Sequence, residues 1–145
     1  MKNTSLAAAV LVLSILFGAA SAAGAEIYVG AESIDITPEE PVVLAGQFQP
    51  RKSKGVTSRL AATVIAIAAR AGDKPVDAAI IISIDTACIW GGASVKFRDT
   101  VKAALPDFDV DKVLFSATHS HAAPGISEWE YPRVEGTMSP EDYIE

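Results

Sequence analysis

Both histidines of the chain lie two residues apart, where an apolar run gives way to a polar loop. If residues 112–118 form a strand, side chains alternate between its faces, and His119 and His121 project to the same side. Imidazole is a common zinc ligand and also exchanges protons near neutral pH. The spacing therefore predicts one of two things. The pair is either a metal ligand beside a proton-transferring or oxyanion-stabilising group, or two hydrogen-bonded structural histidines at a strand end.

A complete zinc site requires more ligands than this pair supplies. Zinc takes three or four protein ligands, and the chain has no third histidine and only one cysteine. The nearest oxygen donors by position are Asp85, Glu128 and Glu130. Glu128 and Glu130 lie in a polar stretch, where an ordinary solvated carboxylate is the expected state.

The amino terminus has the order of a secretory signal peptide. Lys2 precedes an apolar run over residues 6–17, and a cluster of small residues follows. Cleavage is expected after Ala22 or Ala25, and Ala25 is preferred because a polar residue, Glu26, then begins the mature chain. The apolar run is shorter than the ~20 residues that span a bilayer. The sequence therefore predicts that residues 1–25 are removed, that the protein is secreted or periplasmic, and that it has no stable membrane anchor.

Charge and cysteine content exclude several other classes. The formal net charge of −6 includes Lys2, so it becomes −7 once residues 1–25 are removed. An acidic protein of this kind lacks the basic patch that nucleic acids and anionic lipid surfaces require. Cys88 is the only cysteine, so no internal disulfide can form, and its apolar surroundings predict a small buried hydrophobic residue.

The apolar pattern of the mature part alternates between strand and helix. Residues 47–58 are rich in Gln, Pro, Lys, Ser and Gly, which predicts a loop. Residues 72–75 predict the turn of a hairpin, and residues 78–84 are apolar on both faces, as in a strand covered from both sides. The predicted strands are 26–36, 42–45, 60–69, 76–84 and 113–117, and the predicted helix is 92–105.

A strand, a helix and a further strand in this order predict a βαβ crossover with parallel strands. With the hairpin, this gives an α/β fold built on a mixed sheet. Ligand-binding residues of such units lie at the carboxyl ends of the strands, where Asp85 and His119 are found. At the other end of the chain, Ser139 and Pro140 have the pattern of a helix start, with only a few residues after them. This predicts that residues 26–145 are the amino-terminal part of a larger α/β hydrolytic domain.

Several blocks together resemble the neutral/alkaline ceramidase family. The most specific is Thr118-His119-Ser120-His121 followed by Pro124-Gly125, and the supporting blocks are Ile34-Asp35-Ile36-Thr37-Pro38, Ala45-Gly46 and Ser83-Ile84-Asp85. The resemblance covers nearly all of the mature chain. Ala122-Ala123 departs from the family pattern, which has a serine and a glycine before the proline.

The resemblance implies a zinc-dependent hydrolase that splits the amide of an N-acylsphingosine, or of another lipid-like N-acyl amide, into a fatty acid and an amine. It assigns His119 as a zinc (Zn2+) ligand, His121 as a catalytic acid/base group beside the metal, and Asp85 as a group that orients a ligand or the water. The family's remaining ligands, a histidine, a glutamate and a tyrosine, come later in the chain than residue 145. The piece by itself is therefore expected to be inactive.

Two other functions remain open from the residues alone. Other secreted metal hydrolases also place His-x-His at a strand end, although the metallo-β-lactamase type follows it with an aspartate, where this chain has alanine. Alternatively, the chain is a non-catalytic secreted domain in which the two histidines are structural.

Overall fold

The computed structural model describes residues 24–127 and 131–144. Residues 1–23 of the predicted signal peptide, together with Glu128 and Glu130, lie outside the described residues. The strands are β1 (Glu26–Asp35), β2 (Val43–Leu44), β3 (Arg51–Lys52), β4 (Ala61–Ala71), β5 (Lys74–Ile84) and β6 (Val113–Ala117), and the α-helices are α1 (Gly91–Ala104) and α2 (Pro140–Tyr143). One turn of 3-10 helix, Val110–Lys112, leads into β6.

The main sheet has four strands in the order β1-β4-β5-β6. β4 pairs antiparallel with β1 and with β5, whereas β5 and β6 are parallel and are joined through α1. Gly72 closes the β4–β5 hairpin at a φ of 60°, a left-handed value that glycine adopts without strain. The predicted hairpin, the parallel crossover and the mixed α/β sheet are therefore confirmed.

Helix α1 packs on one face of the sheet through aromatic and basic side chains. The rings of Phe97 and Phe115 lie 5.7 Å apart, and the Arg98 guanidinium lies 5.0 Å from the centre of the Phe115 ring. Arg98 also donates a hydrogen bond to the carbonyl oxygen of Val113 at 3.1 Å. These contacts fix α1 against the beginning of β6.

The opposite face of the sheet is apolar and largely open. Leu114 stands beside Ile81 in the β5–β6 register, and this residue is 56% exposed. Along β1 every residue is exposed. Residues 78–84 are half-buried, so the two-sided covering predicted for them is not reached among the described residues.

Val113 at the start of β6 and Ala93 in α1 are buried, but most of the other buried side chains lie beyond the carboxyl ends of the strands. They include Val42, Ala45, Ala87, Ala123 and Ile126. A second ladder joins them, because Ala45 N–H donates to the Ala123 carbonyl at 2.9 Å and Gly125 N–H donates to the Val43 carbonyl at 3.0 Å. The segment after β6 is thereby anchored against the segment around β2.

Two local predictions need correction. The predicted loop 47–58 contains β3, which pairs with β2 to form a two-stranded sheet. Cys88 is half-buried rather than buried. The predicted helix start at Ser139 is confirmed, since its hydroxyl accepts a hydrogen bond from Asp142 N–H at 3.1 Å and Pro140 occupies the first turn.

No helix within residues 24–127 and 131–144 is both long and apolar enough to cross a membrane.

Candidate functional site

The carboxyl ends of β5 and β6 bring the sequence-predicted residues to one edge of the sheet. Beyond the regular strands the two segments remain paired, with Thr118 N–H donating to the Ile84 carbonyl at 3.0 Å and Ser120 N–H donating to the Thr86 carbonyl at 3.1 Å. Asp85 follows directly after β5, and His119 lies two residues after β6. This edge therefore carries the candidate site, as the crossover predicted.

The two imidazole rings face each other. Their centres are 4.8 Å apart at an interplanar angle of 72°, and the two Nε2 atoms are 3.3 Å apart. The prediction that both side chains project to one side is correct, but its reason was wrong. β6 ends at Ala117, and His119 adopts a φ of 63°, so a left-handed residue rather than strand alternation directs its ring.

A backbone carbonyl fixes the proton on His119. Its Nδ1 lies 2.7 Å from the Ala87 carbonyl oxygen, which can only accept, so Nδ1 carries the hydrogen. In the neutral ring Nε2 then has a free lone pair. His121 Nε2 lies opposite that lone pair and must be the donor in the contact between the rings.

The ring of His121 packs directly against Gly46, whose left-handed backbone only glycine adopts without strain. Gly46 has a φ of 71°, and a Cβ atom added there would lie 2.7 Å from both Cγ and Nδ1 of the His121 ring. The carbonyl oxygen of His121 accepts hydrogen bonds from Arg51 Nη2 at 3.2 Å and from Gln47 Nε2 at 3.4 Å. Strand β3 and the segment between β2 and β3 therefore contact both the ring and the backbone carbonyl of His121.

Asp85 supports the backbone around the site. One carboxylate oxygen accepts from Ala61 N–H and the other from the Thr118 hydroxyl, both at 2.9 Å. Thr118 directly precedes His119, so Asp85 reaches that histidine through its neighbour. Neither of these two hydrogen bonds joins Asp85 to the imidazole of His119 or His121.

Sequence reasoning assigned no role to three residues that hold the site together. Ala87 supplies only a carbonyl oxygen, which no side-chain pattern can indicate. Gly46 belonged to a recognised block, but its contact with His121 joins segments 75 positions apart. Tyr131 accepts from Gln47 N–H and donates to the Gln47 carbonyl, both at 2.6 Å, and so fixes the residue beside Gly46.

The donor set fits one side of a zinc site. Zinc binds an imidazole nitrogen at ~2.0–2.1 Å, and His119 Nε2 is the nitrogen of the pair whose lone pair carries no proton. The carbonyl bond to His119 Nδ1 is the usual support of a zinc-binding imidazole. Among the residues that the structure describes, no cluster of three or more His, Cys, Asp or Glu side chains is formed.

Two cavities flank the site without including either imidazole in their walls. A cleft of about 770 Å³ lies between the 37–44 segment and the 51–60 segment, and its wall includes Ser120 and Ala122. A second cavity of about 330 Å³ lies between β2 and residues 131–143. Beside this second cavity, burial raises the pKa of Tyr143 to about 12, with the negative charges of Asp85 and Asp35 adding to the shift.

The fold is similar to solved ceramidases. Over 70% of the chain it matches the crystal structure of neutral ceramidase from Pseudomonas aeruginosa, with a TM-score of 0.61 and 24% sequence identity. A ceramidase solved in complex with C2 matches over 73% of the chain, with a TM-score of 0.60 and 23% identity. The chain spans 16% and 17% of those two structures. Neither a protein-family model nor a curated protein matches the sequence. The resemblance to the neutral ceramidases is thus confirmed at the level of the fold.

Proposed function

We propose that this chain forms part of a zinc-dependent amide hydrolase of the neutral ceramidase type. The substrate is an N-acyl (sphingo)lipid or a similar N-acyl amide, and the products are a fatty acid and an amine. One observation carries the proposal. An imidazole pair with a fixed tautomer stands at the carboxyl end of β6, in a fold shared with ceramidases. That fold favours this reaction over the other His-x-His hydrolases.

His119 is the residue that holds the metal. Its Nδ1 is committed to the Ala87 carbonyl, so Nε2 presents a lone pair in a fixed direction. Bound zinc polarises a carbonyl group and lowers the pKa of its water towards neutrality. The described residues supply at most this pair of nitrogen donors, so the remaining ligands come from outside residues 24–127 and 131–144.

His121 serves as the hydrogen-bond donor and acid/base group. Its Nε2–H points at His119 Nε2 and becomes available once that lone pair is engaged elsewhere. It can then stabilise the developing oxyanion or protonate the departing amine nitrogen. The contacts from Gly46, Gln47 and Arg51 keep this nitrogen in place.

Asp85 is a positioning residue in this scheme. Its bonds to Ala61 N–H and to the Thr118 hydroxyl lock the backbone immediately before His119. His119 itself has a left-handed φ, a conformation that costs about 1–2 kcal/mol for a residue other than glycine. The surrounding hydrogen bonds offset this cost.

The protein is also proposed to act outside the cytoplasm, after removal of residues 1–25. The basis is the order of charge, apolar run and small residues at the amino terminus. An export step is consistent with hydrolysis of lipid amides presented from outside the cell.

Replacement of His119 tests the proposal in the product of the complete gene. His119→Ala should remove both bound zinc and hydrolysis of an N-acylsphingosine. Ser120→Ala is the matched control, because Ser120 lies between the histidines and its hydroxyl bonds only the backbone of Ala122 among the contacts described. Full activity in His119→Ala, or equal losses in both variants, would contradict the assignment.

A further inference from the structure

The 330 Å³ cavity between β2 and residues 131–143 has no role in the proposed hydrolysis. Its wall is mainly apolar, with contributions from Val42, Val43, Pro124, Val134, Met138 and Pro140. An enclosed apolar cavity of ~150 Å³ accepts a six-carbon apolar ring. By proportion, the volume corresponds to about thirteen carbon atoms, so an alkyl chain of about ten carbons fits inside it.

Four hydroxyl groups in the wall donate hydrogen bonds to protein partners. Thr137 donates to the Val134 carbonyl at 2.7 Å, and Tyr143 donates to the Ile36 carbonyl at 2.8 Å. Ser139 donates to the Asp142 carboxylate at 2.6 Å, and Tyr131 bonds the backbone of Gln47. With these donors engaged, the cavity offers an incoming molecule mostly dispersion contacts and the gain from leaving water.

Among the described residues of the wall, Arg133 alone carries a formal charge, and it is exposed. An exposed guanidinium beside an apolar cavity matches an amphiphile with an anionic head, and its planar donors suit a carboxylate.

We propose that this cavity binds a linear alkyl carboxylate of about ten carbons, with the alkyl chain inside and the carboxylate at Arg133. The inference stands apart from the imidazole pair, because neither histidine lines the cavity. Failure of one proposal leaves the other unaffected.

Binding of decanoate to the product of the complete gene, followed by NMR of methyl groups below the critical micelle concentration, tests the site. Shifts are expected at Val43, Val134 and Met138. Affinity should rise about fourfold for each methylene between hexanoate and decanoate, which is the effect of ~0.8 kcal/mol per buried methylene. Shifts confined to Ile27 and Leu114, on the open face of the sheet, would overturn the proposal.

Two variants distinguish the contribution of the carboxylate to binding from that of the alkyl chain. Arg133→Gln should weaken decanoate binding by about two- to fivefold and leave decanol binding unchanged. Arg70→Gln, an exposed arginine bonded to the Asp73 carbonyl at the hairpin, is the control and should change neither. Val134→Trp, which fills the cavity, should weaken both ligands. Unchanged decanoate binding in both Arg133→Gln and Val134→Trp would refute the site.

Discussion

Replacing Gly46 by alanine should displace His121 and disrupt the imidazole pair. The new Cβ would lie 2.7 Å from two ring atoms and 2.8 Å from a third, whereas carbon atoms pack at ~3.5–4.0 Å. The ring must therefore move by about 1 Å. Because the Nε2 contact is already 3.3 Å long, such a shift breaks it or bends it severely.

The stability cost has two parts that the chain itself can separate. A left-handed alanine costs about 1–2 kcal/mol, and the overpacking against the ring adds about 1–3 kcal/mol. Gly72 is the matched control. It has a similar φ, 60° against 71°, but has nothing within 4 Å of an added Cβ. Gly72→Ala should therefore show the backbone cost alone.

Denaturant unfolding of a double-mutant cycle measures the steric part. In a His121→Ala background, Gly46→Ala should cost no more than Gly72→Ala, since the ring is gone. Long-range 15N–1H NMR spectra should also show loss of the fixed tautomers in Gly46→Ala but not in Gly72→Ala. Equal costs of Gly46→Ala with and without the His121 ring would refute the seating of the imidazole on the glycine.

Three further predictions concern the surroundings of the site. Thr118→Val should lower the free energy of unfolding by about 1 kcal/mol, because it leaves one Asp85 oxygen without its hydroxyl partner. Thr118→Ser keeps the hydroxyl and should leave the free energy of unfolding unchanged. Equal effects of the two variants in thermal unfolding would contradict the contact. The pKa of Tyr143 is raised from 10.0 to about 12, so its contribution to stability is complete below pH 10 and is lost as the pH rises towards 12. Tyr143→Phe should therefore flatten the alkaline limb of the stability curve, and an unchanged limb would exclude the phenol as its source. On expression in a Gram-negative host, intact mass should place the first residue at Glu26 or Ala23 outside the cytoplasm; exported protein that retains residues 1–25 would exclude the signal peptide.

The main sheet was predictable because its signals are local. Residues 80–82 are β-branched and continuous, Gly72 marks the hairpin, and the period changes to that of a helix before α1. Parallel pairing of β5 and β6 followed from the crossover alone. These features were enough to predict that Asp85 and His119 lie at the same edge of the sheet, and no side-chain contact was needed for that prediction.

The detailed site was not predictable, since it depends on contacts between distant segments. His119 lies in a left-handed conformation that strand alternation does not allow, and the Ala87 carbonyl that orients its ring leaves no trace in side-chain identity. Strand β3 has only two residues, Arg51 and Lys52, whose polar character resembles a loop. Pairing with β2 overrides that local preference.

Zinc content and amide turnover, measured together in His121→Ala of the complete gene product, test the central claim most directly. The division of roles predicts about one zinc ion per chain and a rate lowered by about 10²–10⁴-fold, the usual effect of losing an acid/base or oxyanion group. Loss of zinc equal to that in His119→Ala would make His121 a ligand as well. Wild-type zinc content and turnover in both variants would contradict the account, because the imidazole pair would then be structural.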